Sequence, residues 1–172
     1  MDTWLWSDGH LGHQNIIGFC GRPYNDVDHM ANALVNNWNF WVQPDDVVYI
    51  LGDAAMGIRE QSLKHFARMN GKKKLVPGNH DNCHPMYAFK QSYAANVELY
   101  GQYFEIMPTI CELDEFVLSH FPYWEGQPDY QGRDWSAWSP EESETRTLLC
   151  GHVHDSWAQR NTAKGSLMIN VG

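Results

Sequence analysis

The sequence has no stretch of about 18 consecutive apolar residues, so it offers no helix to span a bilayer. Its opening, Met1-Asp2-Thr3-Trp4-Leu5-Trp6, lacks a basic segment followed by an apolar run, which argues against a secretory leader. It has no Cys-x-x-Cys pair. Cys20, Cys83, Cys111 and Cys150 are scattered, as expected of reduced, mostly buried thiols in a cytoplasmic protein. Basic residues are scarce, 12 Lys and Arg against 21 Asp and Glu, for a net charge of −9. That balance argues against tight, sequence-independent nucleic-acid binding, which sets cations against phosphates. Internal repeats and low-complexity segments are also lacking.

What is present is the material of one globular, soluble domain over residues 1–172, with 43% apolar and 19% charged residues. Nine histidines are a high count for 172 residues and hint at metal or acid–base chemistry. Bound divalent cations would supply positive charge locally, where an anionic substrate would sit. The oligomeric state is left open.

Apolar periodicity predicts strands over residues 3–7, 46–51, 74–77, 103–107, 110–119, 147–150 and 167–171, and helices over 25–42 and 60–70. In the first helix Val27, Met30, Leu34, Trp38 and Trp41 recur at spacings of three and four, with Asn25 as N-cap and Asp28 in the first turn. Gly71 fits the C′ position of the second. Residues 103–107 and 110–119 read as a hairpin turning at Pro108 and Thr109. Residues 121–146 are rich in Trp, Pro, Gly and acidic side chains without a period, and read as a long loop of the kind that often carries function. Strands alternating with helices, then strands in succession, indicate a layered α/β domain with mixed sheets.

Five polar motifs each follow a predicted strand directly: Asp8-Gly9-His10, Gly52-Asp53, Gly78-Asn79-His80-Asp81, Ser119-His120 and Gly151-His152-Val153-His154. In open α/β sheets ligands bind beyond the carboxyl ends of strands. Gly52-Asp53 alone carries little weight, since such pairs are common in turns. His152 and His154, at i and i+2, share a face of an extended segment and can reach one cluster. Carboxylate, amide oxygen and imidazole are mixed hard and borderline donors. They suit manganese first, with iron, zinc, nickel or cobalt as alternatives, and the cysteines stand outside the set.

This order of motifs resembles the calcineurin-like metallophosphoesterase superfamily, over essentially the whole chain from Asp8 to His154. The opening residues 7–13, with Asn15-Ile16-Ile17 and Arg22-Pro23 after them, further resemble its small bacterial and phage branch. The resemblance implies a four-layer α/β/β/α sandwich of two mixed sheets and two divalent transition-metal ions. It implies that Asp8, His10 and His154 hold the first ion, that Asn79, His120 and His152 hold the second, and that Asp53 bridges them. His80 would face the scissile phosphate and help the leaving group, and Asp81 would orient His80. Two such ions lower the pKa of a shared water, and the hydroxide attacks phosphorus in line. The substrate favoured is a small phosphodiester, cyclic nucleotides included. A phosphomonoesterase, phosphoprotein phosphatase or pyrophosphate hydrolase is the alternative, and a non-catalytic scaffold the remote one. Relatives often continue past a segment like Asn170-Val171-Gly172, which leaves open whether the C-terminus is truncated or naturally short.

Other residues are read both ways. His13 is a substrate contact or a surface histidine. Arg22 is a phosphate-binding guanidinium or a solvated loop arginine. Trp124, Trp135 and Trp138 stack on a base or pack the loop down, with packing favoured. His29 and His65 are helix residues, and His84 starts a helix. Lys72, Lys73 and Lys74 are read as a solvated strand edge.

Overall fold

The structure is a computed structural model that describes residues 1–128 and 132–172; the part of the predicted long loop at 129–131 lies outside the described residues. Strands β1 (Thr3–Trp6), β2 (Val47–Ile50), β3 (Lys72–Leu75) and β4 (Glu105–Ile106) run parallel in that order. Each is short, and successive side chains feed different layers, as the two-residue strand period requires. Trp4, Trp6, Val48, Ile50 and Leu75 face one core, whereas Leu5, Tyr49, Leu51 and Val76 face another.

The first core lies under helix α2 (Val27–Trp41), the segment formed by α3 (Arg59–Ser62) and a 3-10 stretch (Leu63–Arg68), and α4 (Tyr93–Gly101). A short helix α1 (Gln14–Phe19) follows the first polar loop. Helix α2 buries Met30, Ala31, Val35 and Trp38; of the expected stripe, Met30 and Trp38 are buried, Val27 and Leu34 are half-buried, and Trp41 is exposed, because the buried face is turned toward Ala31 and Val35. Its cap is Asp26 rather than the expected Asn25: the Asp26 side chain accepts from the His29 amide at 2.7 Å. Trp6 meets Trp38 edge-on at 5.3 Å, and Phe66 packs on Phe104 at 4.7 Å.

The second sheet has order β5 (Ile110–Leu113), β6 (Phe116–Ser119), β7 (Thr147–Cys150), β9 (Leu167–Asn170), β8 (Gln159–Asn161). It is mixed: β6, β7 and β9 are parallel, and the two outer strands antiparallel. Leu118, Leu149 and Ile169 pack against the first sheet. The opposite face, with Val117, Leu148, Cys150 and Met168, is covered by Tyr123 and Trp157.

The two-sheet α/β fold therefore stands, with differences in detail. The first sheet is wholly parallel, not mixed. Among the described residues no α-helix follows Gly101, so the outermost layer is irregular chain. The proline- and glycine-bearing segment there has no helical period to lay on the sheet. The expected hairpin at Pro108-Thr109 is a crossing between sheets, since 105–106 pairs with β3 and the hairpin turns at Asp114-Glu115. Lys72, Lys73 and Lys74 form a central strand instead of an edge. They are tolerated because the Lys73 ammonium bends back to the carbonyls of Met69 and Gly71, and Lys74 pairs with Glu105 at 3.5 Å.

Candidate metal centre and substrate cleft

Because β1, β2 and β3 are parallel neighbours, as are β6 and β7, the five polar motifs emerge on one rim between the sheets. Backbone bonds knit the loops together: Asp8 N to Gly52 O at 3.1 Å, His10 N to Asp53 O at 2.9 Å, and Gly151 N to His120 O at 3.1 Å. The turns are tight. Asp8, His10, Asp53, His152 and His154 all have positive φ, between 48° and 69°, and Asp114 is the sole other non-glycine residue among those described to do so. Such backbone costs of order 1–3 kcal/mol per residue and persists only where the surroundings enforce it. Gly52 explains a pair that meant little in sequence. Its φ is +85°, and a Cβ there would collide with the His120 ring and the Gly78 backbone.

The side chains form two groups around one carboxylate. Asp8, His10, Asp53 and His154 each offer a ligand atom, and these atoms lie within 4.8 Å of one another. The His10 and His154 Nε2 atoms are 3.2 Å apart, and Asp53 Oδ2 is 3.6 Å from His10 Nε2. On the other side, His120 Nε2 stands 3.1 Å from Asn79 Oδ1, 3.3 Å from His152 Nδ1 and 3.5 Å from Asp53 Oδ1. The two oxygens of Asp53 thus face different groups. The structure brings together all seven residues expected as ligands.

The protons are placed from outside. His120 Nδ1 meets the Leu51 carbonyl at 2.8 Å, an acceptor that fixes the proton there and leaves Nε2 bare toward the cluster. His10 Nδ1 faces the Met56 sulfur at 3.3 Å and His154 Nδ1 the Cys20 sulfur at 3.4 Å. Bare nitrogens 3.2 Å apart repel unless a cation or a proton lies between them. Asp8 Oδ1 is buried without a well-formed hydrogen bond, with His154 Nε2 at 3.4 Å and His10 Nε2 at 3.7 Å. An orphaned carboxylate oxygen among opposed imidazole nitrogens fits a divalent cation.

The electrostatics point the same way. Burial lowers His10 to about 4 and His152 to about 3, so both rings are neutral and available as donors. Burial also opposes ionisation of Asp8, but the His10 and His154 imidazoles outweigh it and hold the carboxyl well below its ordinary range. Burial and then the Asp8 charge push Asp53 well above that range. Two carboxylates cannot comfortably share this pocket without a cation.

His80 is about one-third exposed in the cleft, its Nε2 4.0 Å from Asp53 Oδ2, while its amide donates to Asp53 Oδ1 at 2.8 Å. Burial, with His10 and His120 nearby, lowers it to about 3. Asp81 does not orient it. The Asp81 oxygens accept instead from the amides of Asp53 (2.8 Å), Gly78 (2.9 Å) and Ala54 (3.1 Å), because the buried carboxyl sits between two loops whose N–H groups converge on it. Burial and then the Asp53 charge nevertheless push it up to about 7. Arg22 is likewise inward: its guanidinium donates to the carbonyls of Asp8 (2.7 Å) and Gly9 (3.0 Å), clamping the first loop rather than facing a phosphate. His13 packs beside His10, with ring centres 5.5 Å apart, and is not among the residues lining the cleft. His84 caps the 3-10 turn Pro85–Tyr87, accepting from the Met86 amide. Trp138 packs on His84 at 4.6 Å and Trp135 stacks on Phe121 at 4.9 Å.

A cleft of about 560 Å³ opens over the cluster, lined by Asp53, Asn79, His80, His152 and His154 and walled by Ile16, Phe19, Cys20 and Arg133. Two of these were not legible as site residues. All four cysteines are free, but Cys20 reaches the site through His154. Arg133 lies 5.0 Å over the Trp135 ring at the cleft wall; an arginine in the middle of an acidic, aromatic loop was its only signal.

Two sheets with a cation-ready His/Asp cluster at their strand ends define the class of metal-dependent phosphoesterases. The chain belongs to the calcineurin-like phosphoesterase family, whose model matches residues 1–156. It is 33% identical to the Gene 66 protein of Mycobacterium phage D29, over 99% of this chain and 87% of that one. It is 38% identical over 80 residues to an uncharacterized protein of Methanocaldococcus jannaschii, a stretch that spans 45% of this chain and less than half, 46%, of that relative. The crystal structure of a protein of unknown function from Aquifex aeolicus has the same fold, with TM-score 0.65 and 23% identity over 99% of this chain and 90% of that one. No helix is long and apolar enough to cross a membrane among the described residues.

Proposed function

We propose that the protein is a dinuclear-metal phosphodiesterase acting on small nucleotide or related phosphodiesters. The observation that carries this reading is the pair of opposed imidazole couples, His10 with His154 and His120 with His152, one on each oxygen of Asp53. Asp8, His10 and His154 would hold one cation, Asn79, His120 and His152 the other, and Asp53 both. Manganese heads the candidates, because the donors are oxygen and imidazole without thiolate. When bound, the cations supply Lewis-acid charge at the phosphoryl oxygens and acidify water.

The chain's own groups do the rest. Asp53, whose Oδ1 accepts from the His80 amide, would keep the two halves of the site in register. Arg133, the one cationic side chain lining the cleft among the described residues, would meet the charge of the ester. One such cation suits the single charge of a diester better than the two of a monoester. His80 would donate a hydrogen bond to the leaving oxygen. Its lowered pKa supports a neutral ring that stabilises charge by N–H donation. Unpaired thiols support a cytoplasmic setting, and the chain is read as one domain over residues 1–172.

The test is a hydrolysis panel on manganese-loaded protein: bis-p-nitrophenyl phosphate, p-nitrophenyl phosphate, 2′,3′- and 3′,5′-cyclic nucleotides and short RNA. Diesters should turn over faster than the monoester; the reverse order establishes a phosphomonoesterase, and no turnover at all a scaffold. Asp53→Ala should lose both ions by elemental analysis, and full retention of metal in that variant overturns its bridging role.

A further inference from the structure

A second cavity, of about 340 Å³, opens beside the cleft and shares His152 and Val153 with it. Three tryptophans line it, Trp124, Trp135 and Trp157. Two of them are engaged: Trp135 stacks on Phe121 and lies under the Arg133 guanidinium, and Trp157 sits 5.6 Å from the Arg160 guanidinium. Trp124 differs. It is half-buried and has neither a ring partner nor a hydrogen bond among the described residues. A half-buried indole with no ring or hydrogen-bond partner among the described residues, lining a cavity that shares His152 with the candidate metal centre, is placed for a planar ligand.

We propose that this slot receives the nucleobase of the substrate, stacked on Trp124, while the phosphate lies at the Asp53 cluster. The polar rim narrows the ligand class. Gln127 and Ser139 bring an amide and a hydroxyl, able to donate and accept along the edge of a base. Glu125 and Arg160 are ion-paired at the same rim, so the arginine that lines the slot among the described residues already has a counter-charge, which disfavours a second phosphate there. A base, which is flat, uncharged and polar at its edges, matches each of these features. Stacking on an aromatic ring tolerates any base, so the slot selects nucleosides as a class rather than one of them. His152, common to both cavities, spaces the ring from the phosphate by the width of one side chain. The proposal rests on the phosphoesterase reading for its phosphate end and on the slot's own chemistry for the base.

The test separates the two. Manganese-loaded protein is titrated calorimetrically with adenosine, which carries no phosphate. Saturable binding is expected in the wild type and in Trp124→Phe, which keeps a stacking face, and an affinity weakened by about tenfold or more in Trp124→Ala. In parallel, kcat/KM is compared for thymidine 5′-(p-nitrophenyl) phosphate and methyl p-nitrophenyl phosphate. The wild type should prefer the nucleoside ester by about tenfold or more, a preference that Trp124→Ala abolishes while turnover of the methyl ester is unchanged. No adenosine binding together with equal turnover of both esters overturns the slot and leaves the phosphodiesterase standing. Adenosine binding that Trp124→Ala weakens, with neither ester hydrolysed, supports the slot and overturns the phosphodiesterase. Equal behaviour of Trp124→Ala and wild type in both assays also overturns the slot.

Discussion

Asp81→Ala removes, in one substitution, the acceptor for three buried amides, those of Asp53, Ala54 and Gly78. The wild-type side chain is fully buried, so water replaces it poorly. An orphaned buried donor costs about 1–3 kcal/mol. Three of them, partly relieved by a water entering the space left, come to about 3–5 kcal/mol. That is a large part of the 5–15 kcal/mol typical of a folded domain. The variant should fold, but melt roughly 10 °C below wild type, given about 2–4 °C per kcal/mol at this chain length. The amides of Asp53 and Ala54 are two of the three, so the loop that presents Asp53 loosens as well. Supporting groups of this kind contribute about 10–100-fold in metal affinity, and a calorimetric manganese titration should show a loss in that range. Asp81→Asn, which keeps one acceptor oxygen but turns an amide N–H₂ toward the remaining donors, should fall between. A melting point within about 1 °C of wild type, with unchanged metal affinity, would refute the clamp. A change confined to the titration of the His80 ring by NMR would restore the role expected from sequence, that of orienting His80.

His80→Ala should retain metal and fold while losing about 10²–10³-fold in kcat, the worth of one transition-state donor. Because burial holds the ring neutral, the loss should be similar for p-nitrophenolate and for a poor alkoxide leaving group; a much steeper loss on the alkoxide would instead identify a proton donor. His154 is raised above the usual imidazole range by its bond to Asp8, so near that range a cation must displace a proton from it. Metal affinity should therefore fall as pH drops through this window. Titrations in two buffers of different ionisation enthalpy should report proton release, from His154 and from the raised Asp53 carboxyl, and identical heats in both would show that the ligands bind metal already deprotonated.

The candidate ligands could be picked out because each follows an apolar run, and a strand's end is where a parallel sheet delivers side chains to a common rim. The spacing of His152 and His154 marked the pair but not its geometry: an extended segment would put both on one face, whereas both adopt left-handed backbone and turn to opposite sides of the cluster. What the carboxylates and guanidinium at Asp81 and Arg22 bond to could not be read, because their partners are backbone groups. Every residue carries an amide and a carbonyl, so nothing in the chain marks which ones will converge. The hairpin was misplaced for a related reason. Pro108-Thr109 is a plausible turn, but Asp114 adopts a φ of 51° and makes the tighter one, while 105–106 is drawn to β3 by tertiary pairing. Helix α4 went unread because Val97, Leu99 and Tyr100 make no clean stripe, and its burial comes mainly from Tyr100. The three lysines of β3 show the converse: local charge suggested an edge, and long aliphatic stems let the sheet close over it.

The left-handed backbone at five candidate ligands has a consequence for how this chain can drift. At each of these positions glycine would sit more comfortably than the aspartate or histidine that is there. A copy released from its chemistry would thus be relieved of strain by shedding the three histidines, whereas Asp8 and Asp53 also accept from the amides of His152 and His80 and are held by the fold as well. The histidines are therefore the side chains that drift would take first, and all three persist in this sequence.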